Sequence, residues 1–115
     1  MSIFRLASNV NYPIDSRYIQ SCDMDIRNLG SDAFDILIQF NNETGITHSS
    51  LHHITSLAAP GSTLTVPSIN TQYAPFSILI VTSLLTTHTT ALTLFAKSNE
   101  KMIAIFTQND FIKFE

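Results

Sequence analysis

Between Thr44 and Ala96 the chain carries no Asp, Glu, Lys or Arg, a span of 53 residues (96 − 44 + 1) out of 115. Near its far end lies Phe76-Ser77-Ile78-Leu79-Ile80-Val81-Thr82-Ser83-Leu84-Leu85. Soluble domains are about 25% charged, and mixed surface charge is what keeps copies apart. A span this neutral faces its own core or another molecule. As an extended chain, the run places Phe76, Ile78 and Ile80 on one face and Leu79, Val81 and Leu85 on the other. A strand apolar on both faces is expected to be covered on both.

The rest of the chain alternates with period two in short stretches. Cys22, Met24 and Ile26 oppose Asp23, Asp25 and Arg27, and Phe34, Ile36, Ile38 and Phe40 oppose Asp35 and Gln39. Such patterns are half-buried strands. Further strands are expected over 63–66, ended by Pro67, then over 91–96, 101–106 and 111–114, the last two as a closing hairpin through Gln108-Asn109-Asp110. Residues 28–32, 41–45, 59–62 and 97–100 have turn composition. Residues 46–59 fit two readings. As a strand, Ile46, His48, Ser50, His52 and Ile54 share a face; as a short helix, Leu51, Ile54 and Leu57 do. Seven to nine short strands, with no long helical crossover for a parallel sheet, give an all-β antiparallel β-sandwich of jelly-roll or Greek-key type. Residues 1–20 read as an extended N-terminal arm and 21–115 as a single sandwich domain. An arm carrying Ile3, Phe4, Leu6, Val10 and Tyr12 has reason to dock, on its own domain or on a neighbour.

Several function classes are disfavoured. Net charge is −3 and the six basic residues are scattered, so there is no clustered basic face for nucleic acid. No run reaches the ~18 apolar residues of a membrane span. The first residues lack the apolar segment of a signal peptide, which makes synthesis in the cytoplasm the expectation and leaves the final location open. His48 and His52 on a strand stand about 13 Å apart, too far to share a metal; on a helix they fall one turn apart, yet no acidic residue or cysteine nearby completes a shell. Neither metal nor cofactor is expected. There is no Gly-x-Ser-x-Gly elbow, and with three glycines no phosphate-cradling loop. Asp23, Asp25, Asp32 and Asp35 could offer oxygens to a cation if their two strands pair, but exposed strand and turn charges are far commoner. No catalytic residue emerges, and the chain does not read as an enzyme. Cys22 stands alone, so the choice is between a small buried hydrophobe and an intermolecular disulfide.

What remains is the neutral span. Uncharged, hydroxyl-rich faces can be covered without stranding a charge, and charge is depleted at interface cores. The expected function is therefore a structural, self-assembling subunit that forms a fibre, shell or lattice of copies of itself. The contacts expected are Phe4, Leu6 and Tyr12 in the arm and Thr87, Thr89 and Thr93 on the neutral face, with Cys22 available for an intermolecular disulfide. The alternative is a lectin-like module that holds a glycan on the loops 41–45 and 68–75, with Tyr18 and Tyr73 as stacking surfaces; the absence of Trp counts against it. The arm, Cys22 ahead of the first domain strand, Gly61-Ser62-Thr63-Leu64-Thr65-Val66 and Leu94-Phe95 give a layout that resembles small bacterial jelly-roll subunits of spore appendage fibres. That resemblance implies assembly through the arm. The chain departs from that pattern in having no cysteine pair in the arm and in its closing hairpin, and viral coat jelly rolls share the layout.

Overall fold

The alternating stretches become nine strands in the structure, a computed structural model that describes residues 1–8, 16–57, 59–85 and 87–114. They are β1 (Ser2–Ser8), β2 (Ser21–Asn28), β3 (Phe34–Asn42), β4 (Gly45–Ile54), β5 (Thr63–Asn70), β6 (Phe76–Thr82), β7 (Thr90–Ser98), β8 (Lys101–Thr107) and β9 (Ile112–Phe114). Two single 3₁₀ turns, Ser16–Tyr18 and Gln108–Asp110, interrupt them. The strands form a five-stranded sheet in the order β4-β3-β6-β1-β9 and a four-stranded sheet in the order β5-β2-β7-β8. Every pairing is antiparallel. The protein is thus an all-β antiparallel sandwich. Within the sheets only β3–β4 and β7–β8 join strands that follow one another in sequence; the other connections cross between sheets, as in Greek-key sandwiches.

Period-two patterning becomes a core because each strand turns one side toward the other sheet. Phe4 and Leu6 of β1, Cys22, Met24 and Ile26 of β2, and Phe34, Ile36, Ile38 and Phe40 of β3 all point inward, against Ile78 and Ile80 of β6 and Leu92 and Leu94 of β7. Phe40 and Phe76 stack at 6.2 Å between centroids. Each such side chain contributes about 1.5–3 kcal/mol through burial. β6 lies at the middle of its sheet, between β3 and β1, with Phe76, Ile78 and Ile80 buried against the other sheet.

Several expectations change. The first part of the arm is not an appendage: β1 pairs with β6 from Ser2 opposite Thr82 to Ser8 opposite Phe76 and holds β9 on its other side. Phe4 and Leu6 fill the molecule's own core, which is why a segment ahead of the Asn- and Pro-bearing stretch had reason to dock. Tyr12 lies outside the described residues. Residues 101–114 make no hairpin, because β8 pairs with β7 while β9 pairs with β1 in the other sheet. Thr107 caps the intervening turn, its hydroxyl accepting from the Asn109 N–H while Asp110 accepts the Thr107 N–H at 2.8 Å. Residues 46–54 take the strand reading. β5 continues past Pro67 to Asn70 through a bulge opposite Asp23, and β6 stops at Thr82, leaving Leu85 exposed beyond it. β2 and β3 lie in different sheets, so the four aspartates do not sit on paired strands.

A buried amide ties one end together. Asn28 donates to the carbonyls of Asp32 at 2.8 Å and Thr55 at 2.9 Å and accepts from the Gly30 N–H at 2.9 Å. Gly30 packs on the next loop so closely that a Cβ there would stand 3.0 Å from the Thr89 Cβ.

Candidate self-association surface

The outer side of the five-stranded sheet is built by the residues between the core positions. Register brings Leu51 of β4 opposite Leu37 of β3, Leu37 opposite Val81 of β6, Val81 opposite Ile3 of β1, and Ile3 opposite Phe114 of β9. The result is an unbroken apolar row across all five strands, about 19 Å long at ~4.8 Å per strand step. The neighbouring row runs Ser49, Gln39, Leu79, Arg5, Ile112. Leu51 is 73% exposed and Ile112 63%, while Leu37, Leu79 and Val81 are half-covered by their neighbours in the sheet. A shallow depression of about 420 Å³ opens along the first row, lined by Met1, Leu37, Leu51 and Val81.

Charge at the outward positions of this sheet is confined to Arg5 and Asp35, and Asp35 is already engaged. Its Oδ1 lies 2.8 Å from Nδ1 of His53 directly across the β3–β4 ladder, and its N–H donates to Ser83 Oγ at 3.0 Å. The four-stranded sheet presents a different outer face. Asp23, Asp25, Arg27 and Lys97 project there, with Lys97 paired to Asp23. Burial pushes the Asp23 carboxyl up, but the hydrogen bond from Lys97, the Ser68 N–H at 2.7 Å and the Lys97 charge outweigh it and hold it below the usual range. Formal charge at outward positions is thus denser on the four-stranded sheet than on the five-stranded one.

The sheet edges differ in the same sense. Edges usually carry Lys or Pro, or a bulge that spoils pairing. β5 has Pro67 and a bulge, β8 begins at Lys101 and β9 contains Lys113. β4, ten residues long, has no Lys or Pro and is broken only by a register shift at Thr47 near its start, so its stretch from His48 to Ile54 is a regular edge. The inward positions of that stretch are His48, Ser50, His52 and Ile54. His48 meets the Phe40 ring edge-on and lies 3.0 Å from Ser50 Oγ, and buried Nε2 of His52 finds no hydrogen-bond partner among the described residues. Among those residues no group of three His, Cys, Asp or Glu side chains could hold a metal.

The residues singled out from sequence fall elsewhere. Phe4 and Leu6 are core, and Thr87 is buried. Thr89 is half-buried, its carbonyl accepting the Leu29 N–H at 2.8 Å. Thr93 is the one on an outer face, half-buried between Asp25 and Thr107 on the charged sheet. Cys22 is fully buried and its thiol is pushed up to about 12 by burial, with the Asp23 charge adding to it. A thiol so protonated and enclosed does not exchange with a neighbour's. The residues missed were Ile3, Leu37, Leu51, Ile112 and Phe114. For Ile3 and Leu37 the signal was an apolar residue at the outward step of a strand whose inward step is already apolar; Leu51, Ile112 and Phe114 stand beside polar inward neighbours, Ser50, His52 and Lys113, and gave no such signal.

No protein-family model matches the chain, and no curated protein matches it. Among solved structures, the crystal structure of Thermotoga maritima 1070 is similar at 14% identity, covering 92% of this chain and 88% of that one with a TM-score of 0.45.

Proposed function

We propose that the protein is a structural subunit whose copies associate through the outer face of the five-stranded sheet. The observation that carries this reading is the five-strand row Leu51–Leu37–Val81–Ile3–Phe114. A monomer bathed in water on that side leaves Leu51 and Phe114 exposed and Leu37, Val81 and Ile3 half-exposed, and contiguous exposed apolar patches mark interaction sites. A second copy is the fitting occupant on size and on charge. Four strands of seven to ten residues and the three-residue β9, at ~4.8 Å per strand and ~3.3 Å per residue, make a patch of roughly 20 by 25 Å. Two such faces stacked remove on the order of 1,000 Å² from water, close to the lower bound of stable interfaces. With only Arg5 and Asp35 charged among the outward positions, two like faces meet without stacking like charge on like.

A face that pairs with itself gives a dimer, and growth needs a second contact. The outward side chains of β8, Met102, Ile103 and Ile105, are exposed beside Phe95 at the far edge of the other sheet, and their pairing would extend dimers into a fibre or lattice. Assembly through a free N-terminal arm is not part of the proposal, since Phe4 and Leu6 are committed to the core. Sedimentation velocity and negative-stain microscopy on the protein and on Val81→Glu test it. The parent should form dimers or larger ordered particles, and the variant, with a native circular dichroism spectrum, should remain monomeric. A parent that stays monomeric, or a folded variant that assembles as before, overturns the reading.

A further inference from the structure

At the end of the sandwich away from Asn28, a depression of about 530 Å³ is lined by Gln20, Ser21, Ser68, Asn70, Lys97 and Glu100. That volume is within the range of small-ligand clefts, about 300–1,000 Å³. The two amides are held the same way. Gln20 Oε1 accepts the Asn99 N–H at 2.7 Å and Asn70 Oδ1 accepts the Gln72 N–H at 3.0 Å. Each spends its acceptor on a neighbouring turn, and its NH₂ donors have no partner among the described residues. The hydroxyls of Ser21 and Ser68 are likewise uncommitted there, and Glu100 supplies acceptors.

The rim is fixed and strained. The Tyr73 N–H donates to the Ile19 carbonyl at 2.9 Å, and the Thr71 and Gln72 N–H groups donate to the Gln20 carbonyl. Loop 71–74 is thereby clamped to the segment that carries Tyr18. Of the described non-glycine residues with left-handed φ, Ser68 at 56° and Glu100 at 65° line this depression, Asn99 at 52° and Gln72 at 53° donate their N–H groups to its Gln20 and Asn70, and Tyr73 at 60° follows Gln72 in the same loop. The tight β7–β8 hairpin accounts for Asn99 and Glu100. For Tyr73 the conformation is costly, and it leaves the ring exposed close in the chain fold to exposed Tyr18.

We infer that this depression binds a neutral saccharide. Free amide donors, hydroxyls, the Lys97 ammonium and the Glu100 carboxylate interleave donors and acceptors as a polyol does, each sugar hydroxyl being both, and exposed Tyr18 and Tyr73 stand on the flanking segments, outside the lining. Other ligand classes fit less well. Lys97 is already paired with Asp23 and Glu100 is an anion in the lining, which disfavours a phosphate, and the lining is too polar for a lipid or other apolar ligand. An added peptide strand would meet Pro67 and the β5 bulge. The site belongs to the four-stranded sheet and remains open when the five-stranded faces are stacked, so it neither requires self-association nor competes with it.

The test is a glycan array followed by ¹⁵N–¹H spectra of the protein titrated with the array hits and with maltose, cellobiose, lactose and diacetylchitobiose to ~10 mM, enough to populate a site of ~1 mM affinity. At least one neutral sugar should shift the amides of Gln20, Ser21, Ser68, Asn70 and Glu100. Ser21→Ala removes a lining hydroxyl without a partner among the described residues and Ser68→Gly suits the left-handed backbone, so both should fold as the parent does, and each should weaken binding about tenfold. No binding on the array or in the titrations, shifts mapping to another surface, or affinity unchanged in both variants overturns the inference.

Discussion

At the scale of the residue, position relative to the two faces decides what a substitution does. Ile80, fully buried on the middle strand β6, and Leu51, on the outer face of the edge strand β4, are both aliphatic. Ile80→Ala should cost 2–5 kcal/mol in denaturant unfolding, from lost transfer energy and the cavity left behind; Leu51→Ala, measured at dilutions where the protein is monomeric, should stay within about 0.5 kcal/mol. Cys22 gives a pH signature. Its folded-state value is raised, so its contribution to stability is complete below its unfolded value near 9 and is lost as pH rises toward about 12. Alkaline unfolding should therefore steepen above pH 9, and Cys22→Ala should remove that part of the slope. Asp23 works in the opposite sense: its lowered value gives stability that is present at neutral pH and lost as acid protonates it, and Asp23→Asn should flatten that acid limb. A thiol reagent should leave Cys22 unmodified until denaturant is added. Rapid modification of the native protein would mean that the strand pair around it opens readily.

At the scale of the element, β1 and β4 carry the most informative tests. β1 sits between β6 and β9 and brings Phe4 and Leu6 to the core. Deleting residues 2–8 should abolish the native β signal in circular dichroism; a folded, soluble truncation would show that β1 is dispensable. On the regular stretch of the β4 edge, which has no Lys or Pro, Ser49→Lys should suppress aggregation on heating while leaving the unfolding free energy within about 0.5 kcal/mol. The strands with a polar outward step, β2 and β3, were legible from alternation alone, as were β7 and the β6 core. What alternation cannot carry is the partner. Nothing in Phe111-Ile112-Lys113-Phe114 tells that it crosses to β1 rather than folding back on β8, because pairing is a matter of register and connection geometry. The arm was misjudged for a related reason. Ile3 and Phe4 are both apolar, and only the observed register reveals that Phe4 faces inward and Ile3 outward. The same ambiguity hid the outer row: Leu79 and Val81 read as a second buried face and Leu37, between Asp35 and Gln39, drew no reading, whereas in the single molecule all three are only half-covered by neighbours within the sheet.

At the scale of the whole molecule, the charge-free span supplies two strands to each sheet, β4 and β6 to the one with the apolar row and β5 and most of β7 to the other. The faces differ because the formal charges of β2 and Lys97 dress the four-stranded sheet. The neutrality of the span was visible in the sequence; which sheet the flanking charges would cover was not. That asymmetry leads to the central claim, that copies of this chain cover one another's five-stranded face. Its most direct measurement is the broadening of methyl resonances by a soluble paramagnetic agent across a protein concentration series. The Leu37, Leu51 and Val81 methyls should be broadened in dilute protein and shielded as concentration rises, while the Thr65 methyl on the opposite sheet stays exposed throughout. Equal broadening of all four at every concentration would contradict the account.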